Sequence, residues 1–262
     1  RLEAVATDTD EAVRDAALRA LGRLDDGHGV PLLVVALGDA RASVAIYALR
    51  RAVLGMAPGD AMRLLESAPM TRVTVAKEVL RLVGDIGGDA ALAWLIGLDP
   101  TTLHRDVRIA RLRGLWAFTE HAVTWDTFDA AALEPNAALL DGVLRVPSTR
   151  LGAVARRRFV ALFGRLIEHP DPQLALAALQ RFASEPLGPA DVGLARPMAT
   201  LCASRFPDIR AAAAKALVAA TPVLEPEVFA DAIREVAGDR RALKELVTEL
   251  QWCGQHPTAA AV

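Results

Sequence analysis

The feature that most constrains the fold is a residue pair that recurs along the chain at a nearly constant period. In each pair an aliphatic residue is followed six positions later by a long polar side chain, which is cationic in six of the seven pairs. The pairs are Val13/Arg19, Val44/Arg50, Val75/Arg81, Val107/Arg113, Leu139/Arg145, Leu174/Gln180 and Ile209/Lys215. The aliphatic residues, called the anchors below, are spaced by 31, 31, 32, 32, 35 and 35 residues. A fixed period in this range is typical of stacked supersecondary units.

The segments between the breaks of the sequence have helical periodicity. Apolar residues recur at helical spacing, and we find no alternating strand pattern. Breaks such as Asp25-Asp26-Gly27 and Gly87-Gly88 divide the chain into about eight helix pairs. The second helix of each pair, called the B helix below, is predicted at residues 9–24, 41–54, 71–84, 103–121, 136–146, 172–184, 207–220 and 239–253.

The period predicts one domain, an all-α solenoid of about eight antiparallel helix pairs over residues 1–262. Residues 123–150 are irregular, and the period lengthens after them, so we expect a hinge near 123–150. Residues 225–254 have no clear anchor and are expected to form a C-terminal cap. The chain begins at Arg1 rather than at methionine, as expected for a fragment of a longer polypeptide.

Charge and composition exclude several classes of protein. The net charge of -2 provides no global field toward nucleic acid or membrane, and no apolar run reaches the length of a membrane span. The two cysteines, Cys202 and Cys253, lie far apart and have no metal-ligand spacing. We therefore expect two free thiols and a cytoplasmic protein without a membrane partner.

Residues 8–22 resemble a HEAT repeat of the bacterial kind also seen in phycobilin-lyase-like proteins. In that pattern an aspartate in the inter-helix turn is followed by valine-arginine, small residues and leucine-glycine. Asp8, Val13, Arg14, Leu21 and Gly22 occupy these positions. Further matches lie in the second, fourth and seventh repeats, at Asp39, Val107-Arg108 and Ile209-Arg210.

The resemblance implies a right-handed superhelix in which the B helices line the concave face. It also implies that the turn aspartate pairs with an arginine of a neighbouring repeat. It does not imply one function, because solenoids of this type include adaptors, sensor arms of signalling ATPases, chromophore lyases and DNA repair enzymes.

On this resemblance the residue six positions after each anchor faces the concave groove. The cations at these positions, called the basic stripe below, are Arg19, Arg50, Arg81, Arg113, Arg145 and Lys215. The neighbouring groove residues are Ile46, Tyr47, Lys77 and Ile109, together with Asp15, Glu78 and Asp141. The alternative is a solvated face on which Asp15–Arg19 and Asp141–Arg145 stabilise their own helices as i,i+4 pairs.

Residues for catalysis are sparse, and we predict no catalytic residue, cofactor or metal. Glu120-His121 and Glu168-His169 are the only adjacent acid–histidine pairs, and each is expected at a helix end, where a histidine complements the dipole. The run Arg156-Arg157-Arg158 is expected to be solvated, because three consecutive helical residues do not share one face. The tryptophans, at positions 94, 116, 125 and 252, are expected in the core.

These observations favour a non-catalytic scaffold or sensor region of a larger cytoplasmic bacterial protein. Its basic stripe would bind a protein with an acidic segment, while the net charge of -2 disfavours nucleic acid. The alternative is an enzyme of HEAT architecture, either a chromophore lyase or a DNA glycosylase-like protein.

Overall fold

The computed structural model describes residues 2–24, 29–134, 136–184, 193–220 and 226–252. These described residues are 77% helical and include no strand. Most consecutive helices pack in pairs, and within each of two compact units the pairs stack on one another. The predicted all-α solenoid is therefore confirmed. By its internal contacts the chain divides into two compact units, residues 1–118 and 119–262.

The first unit consists of helical layers, in which α1 packs on α2, α3 on α4 and α5 on α6. The B helices α4, α6 and α8 pack side by side, and α5 packs on α7 in the other layer. Gly87 and Gly88 form the turn between α6 and α7 with φ of 71° and 81°, a region that favours glycine. The helices are α1 (Leu2–Val5), α2 (Glu11–Leu21), α3 (Val30–Val35), α4 (Ala42–Leu54), α5 (Pro58–Ser67), α6 (Val73–Ile86), α7 (Gly88–Gly97) and α8 (Arg105–Gly114).

The second unit repeats this arrangement. Helices α9, α11, α13 and α15 form one layer, and the B helices α10, α12, α14 and α16 form the other. The hinge expected near 123–150 includes α9 and α10, and the expected cap includes α15 and α16; both assignments stay predictions. The helices are α9 (Ala122–Ala132), α10 (Ala137–Leu144), α11 (Ala153–Ile167), α12 (Pro172–Phe182), α13 (Ala195–Cys202), α14 (Pro207–Ala220), α15 (Pro226–Val236) and α16 (Arg240–Trp252).

The anchors lie in the core with one exception. Val13 is 39% exposed, so the prediction of burial is wrong at that position. Its helix α2 has the four-residue α1 as the partner in its own pair, and Glu11, Ala12 and Val13 at the start of α2 are exposed. The six buried anchors are Val44, Val75, Val107, Leu139, Leu174 and Ile209.

In six of the B helices the N-cap residue lies three residues before the anchor, and the helix begins at the next residue. Asp10, Asn136 and Asp171 accept hydrogen bonds from backbone N–H groups of the first turn, and the Nδ1 atom of His104 accepts one from Asp106 at 3.1 Å. These side chains satisfy N–H groups that have no partner within the helix. The N-cap positions are Asp10, Arg41, Arg72, His104, Asn136 and Asp171.

At Arg41 and Arg72 the N-cap side chain extends to the preceding repeat instead. Arg72 donates from Nη1 to the carbonyl oxygens of Asp39 and Ala40, at 2.8 and 3.1 Å. Arg41 forms a bidentate bond with Asp15, at 2.9 and 3.1 Å. The expected Asp15–Arg19 pair is therefore wrong, because the guanidinium of the next repeat takes this carboxylate.

The arginine of the aliphatic–arginine motif bonds to the turn that precedes its own B helix, and the structure shows this contact twice. Arg14 donates from Nη1 to the carbonyl oxygen of Asp8 at 2.8 Å, and Arg210 donates in the same way to Ser204 at 3.0 Å. In both cases the acceptor lies six residues earlier, in the turn before the B helix. The carboxylate of Asp39 also lies 4.0 Å from Arg14, which gives one step of the expected aspartate–arginine ladder.

An aromatic cluster forms the core of the second unit. Trp125 packs edge-on against Phe128 and Phe159, with ring centroids 5.5 and 6.4 Å apart, and its Nε1 donates to the carbonyl oxygen of Thr119 at 2.6 Å. Core packing is thus confirmed for Trp125. Trp94 and Trp116 are half-exposed, so the expectation is wrong for them, and the side chain of Trp252 lies outside the described residues.

The B helix predicted at 103–121 is shorter than expected. The α-helix ends at Gly114, and a 3-10 turn over Leu115–Phe118 follows it. Leu115 and Phe118 of this turn are buried, so the tighter turn keeps the segment in the core while it ends the α-helix.

Candidate functional site

The cations of the basic stripe are exposed on their B helices or, for Arg145, at the C-cap of α10. Six residues advance an α-helix by about 600°, so a residue six after a buried anchor lies about 120° around the helix from it. In the first unit the exposed members are Arg19, Arg50, Arg81 and Arg113. In the second unit they are Arg145 and Lys215, and Gln180 is exposed at the same repeat position.

Arg50 and Arg81 share one carboxylate. Arg50, on α4, donates from Nε to Oε1 of Glu78 at 2.7 Å and from Nη2 to Oε2 at 2.8 Å. Arg81 donates from Nε to the same Oε1 at 3.0 Å, and its Nη1 bonds to Asp85. The stripe therefore brings two adjacent repeats together through Glu78, which lies on α6.

Glu78 itself is not on the exposed face where the sequence pattern places it. The residue is 7% exposed, because α6 packs against α4, α5, α7 and α8 and presents only a narrow strip to solvent. Burial alone would raise the pKa of Glu78, but the hydrogen bonds from Arg50 and Arg81 outweigh it and lower the pKa to about 2. Glu78 is thus an ionised carboxylate beneath the two arginines.

Tyr47 connects the first two B helices. The guanidinium of Arg19 lies 5.5 Å from the centre of the Tyr47 ring, a cation–π distance, and the Tyr47 hydroxyl donates to the Arg19 carbonyl oxygen at 3.1 Å. A β-carbon on Gly22 would lie 2.7 Å from that hydroxyl oxygen. The leucine-glycine end of the repeat motif therefore provides the space that Tyr47 occupies.

The remaining groove residues of the first unit differ in exposure. Lys77 is exposed on α6, whereas Ile46, Tyr47 and Ile109 are half-buried. Arg113 stands over the ring of Trp116, with its guanidinium carbon 6.0 Å from the ring centre. The side chain of Asp141 lies outside the described residues.

Other arginines serve a structural role that the sequence analysis missed. Arg111 is buried and donates from Nε to the carbonyl oxygen of Leu95 at 2.6 Å and from Nη2 to that of Ile96 at 3.1 Å. These carbonyls belong to the last turn of α7, where they have no helical partner. Arg111 thus closes the C-terminal end of α7.

Arg51 and Arg181 cap the preceding B helix in the same manner. Arg51 bonds to the carbonyl oxygen of Gly22, and Arg181 donates to those of Leu144 and Val146 at 2.6 and 3.0 Å. Both arginines lie seven residues after their anchor. An arginine at that repeat position is the signal that could have found them.

The arginine run and the histidines make local contacts. Arg156 lies over the ring of Phe159 at 5.1 Å, whereas Arg158 pairs with Asp126 at 3.7 Å, so the run does not present one face. The Nδ1 atom of His169, just after α11, accepts a hydrogen bond from Asp171 at 3.0 Å. His121 occupies the N-cap position of α9 rather than the end of a helix, which corrects its expected place.

The described residues contain no group of three or more His, Cys, Asp and Glu side chains that could hold a metal ion. Burial raises the pKa of the Cys202 thiol to about 12. His28, Cys253 and His256 lie outside the described residues. Within the described part of the chain, no helix combines the length and apolar character of a membrane span.

Comparison with known proteins gives weak structural similarities. No family model and no curated protein matches the chain. The complex of CpcE and CpcF of phycocyanin lyase from Nostoc sp. PCC7120 aligns over 95% of this chain and 93% of that chain, with 15% identity and a TM-score of 0.42. An engineered protein of the Northeast Structural Genomics Consortium aligns over 95% and 87%, with 16% identity and a TM-score of 0.41. Because both scores are below 0.5, they carry no argument about function.

Proposed function

We propose that this chain acts as a non-catalytic, protein-binding scaffold or sensor region in the bacterial cytoplasm. In this proposal the basic stripe binds an acidic segment of a partner protein. The observation that supports it is the exposure of a cation at the same repeat position of α2, α4, α6 and α8. A stripe that contacts only solvent does not require a cation at the same position of each repeat. A ligand that crosses several repeats does require one.

The spacing of the helices suits an elongated acidic ligand. Packed helices lie about 8 to 10 Å apart, so the four cations of the first unit offer regularly spaced contacts for carboxylates. The side chains are already held by a folded scaffold, so little ordering is needed on binding. Arg145 and Lys215 would contribute in the same way within the second unit.

A reversal of Arg50, Arg81 and Arg113 to glutamate is a poor test of this proposal. Arg50 and Arg81 neutralise the buried Glu78, so glutamates in their places would bring three carboxylates together. A test must leave the contacts of Glu78 intact.

We therefore propose the triple variant Arg19→Gln, Lys77→Gln and Arg113→Gln. The probe is a short fluorescein-labelled oligo-glutamate peptide, whose binding is measured by fluorescence anisotropy at low salt. The variant should weaken binding about tenfold, and the loss should shrink as salt screens the charges. The matched control removes three exposed cations outside the stripe, with Arg23→Gln, Arg63→Gln and Arg105→Gln.

Three results would overturn the proposal. The first is an unaltered parent protein that does not bind the oligo-glutamate peptide at low salt. The second is an equal loss of affinity in the control, which would indicate a general charge effect. The third is preferential binding of a labelled DNA duplex or a tetrapyrrole, which would favour an enzyme of this architecture.

A further inference from the structure

We infer that Arg50 is the principal carboxylate-binding residue of the stripe and that the buried Glu78 positions it for this role. The inference deepens the proposed function and rests on it. Arg50 differs from Arg19, Lys77 and Arg81 in how its charged group is held.

The orientation of the Arg50 guanidinium is fixed by two hydrogen bonds. Its Nε and Nη2 atoms bond to the two oxygens of Glu78, at 2.7 and 2.8 Å, although Arg50 and Glu78 lie on different helices. A bidentate bond of this type holds both the direction and the plane of the guanidinium. The carboxylate that holds it is itself buried and therefore fixed.

One edge of this fixed guanidinium stays open. The Arg50 side chain is 52% exposed, and among the described residues its only ion-pair partner is Glu78, through Nε and Nη2. The Nη1 atom and the second hydrogen of Nη2 form the outer edge. This edge presents two parallel N–H donors, the arrangement that binds a carboxylate in bidentate form.

The neighbouring cations do not combine a fixed orientation with an open edge. Arg81 uses Nε and Nη2 on Glu78 and Nη1 on Asp85, so each of its nitrogens already has a bond. Arg19 lies over the Tyr47 ring, and among the described residues no hydrogen bond fixes the plane of its guanidinium. Lys77 offers a single ammonium on a flexible stem. Among these four cations, Arg50 therefore has the lowest ordering cost on binding a carboxylate.

The variant Glu78→Gln separates positioning from simple charge. Removing the carboxylate adds one net positive charge to the stripe, so charge alone predicts tighter binding of an acidic peptide. It also removes the bidentate bond that orients Arg50, so positioning predicts weaker binding. We expect the affinity for the labelled oligo-glutamate peptide to fall about fivefold despite the added positive charge.

A second variant keeps the charge of Arg50 and removes its planar guanidinium, which can bind a carboxylate through two N–H groups. Arg50→Lys should weaken binding about fivefold, because an ammonium does not form the bidentate contact. The comparison variant Arg113→Lys, at another position of the stripe, should weaken binding by less than Arg50→Lys does. Circular dichroism and the Tm of each variant establish that it is folded, and if Glu78→Gln fails to fold, the comparison of Arg50→Lys with Arg113→Lys decides.

The outcomes separate this inference from the proposed function. If the parent protein does not bind the peptide, both the inference about Arg50 and the proposed function are wrong. If the parent binds, and Glu78→Gln binds more tightly or Arg50→Lys binds like Arg113→Lys, the stripe acts by charge alone and the role of Arg50 is overturned. Weaker binding by both Glu78→Gln and Arg50→Lys supports the inference.

Discussion

Gly84 of α6 and Gly114 of α8 lie in direct backbone contact. A β-carbon on Gly84 would lie 2.8 Å from the carbonyl oxygen of Gly114 and 3.0 Å from its Cα atom, and one on Gly114 would lie 2.9 Å from the carbonyl oxygen of Leu80. Contacts with backbone atoms are not relieved by a change of rotamer. The two glycines therefore permit these two B helices to approach closely.

We predict that Gly84→Ala destabilises the protein by about 2 kcal/mol through overpacking. Alanine favours a helix over glycine by about 1 kcal/mol, so a loss would show that the contact outweighs helix propensity. The control is Gly97→Ala in α7, where a β-carbon would meet nothing within 4 Å. Urea denaturation measures the unfolding free energy of Gly84→Ala and of Gly97→Ala. Equal stability of the two variants would contradict the close approach of the two helices.

The second prediction concerns acid stability. Because the pKa of Glu78 falls from its ordinary 4.5 to about 2 in the folded state, its ionised form stabilises the fold above pH 4.5. This contribution, about 2 kcal/mol after allowance for solvent screening, should disappear as the pH falls from 4.5 to 2.

Urea denaturation at several pH values tests the role of Glu78. The difference in unfolding free energy between the parent and Glu78→Gln should be largest near neutral pH and shrink below pH 4.5. Glu66→Gln, on the exposed face of α5, controls for the general effect of replacing a carboxylate by an amide. A difference that stays constant with pH would contradict the prediction.

The third prediction contrasts an anchor with a stripe residue on one helix. Val107 is 3% exposed, so Val107→Asp replaces a buried apolar side chain by a carboxylate and should cost about 3 kcal/mol or more. Arg113 is exposed, and Arg113→Ala should change stability by no more than about 0.5 kcal/mol. Thermal denaturation followed by circular dichroism measures both. Similar Tm values would mean that the faces of α8 are assigned incorrectly.

The fourth prediction concerns the arginine that closes α7. Burial and the nearby Arg108 lower the pKa of Arg111, so this side chain lies in a setting that disfavours its charge. Its two hydrogen bonds to the carbonyl oxygens of Leu95 and Ile96 offset the cost of burying this charge. Arg111→Ala should therefore lower the free energy of unfolding by about 2 kcal/mol. Arg105→Ala, at the exposed start of the same helix, should cost less than about 0.5 kcal/mol. Equal effects in urea denaturation would show that the carbonyl contacts contribute little.

The sequence predicted the faces of the B helices better than their contacts. Helical periodicity alone places Val107 inside and Arg113 outside, and both placements are confirmed. Val13 follows the same pattern but is exposed, because the pattern contains no information on whether a neighbouring helix covers that position.

The centre of the candidate site could not be predicted, because it depends on three-dimensional packing. Glu78 follows the exposed Lys77, and its burial arises from the number of helices around α6. Its pairing with Arg50 spans 28 residues and depends on how one repeat is placed against the next. Periodicity within one helix carries no information on such a contact.

The N-cap positions of the first unit also have a consequence for synthesis on the ribosome. Helix α2 begins with its own cap at Asp10, but α4 and α6 begin with Arg41 and Arg72, whose side chains bond to the preceding repeat. Each bond joins a later residue to an earlier one, and a nascent chain emerges with its N-terminus first. When Arg41 or Arg72 leaves the exit tunnel, the groups that it binds have already emerged. This unit is therefore suited to fold repeat by repeat during translation, each new helix docking on structure that is already present.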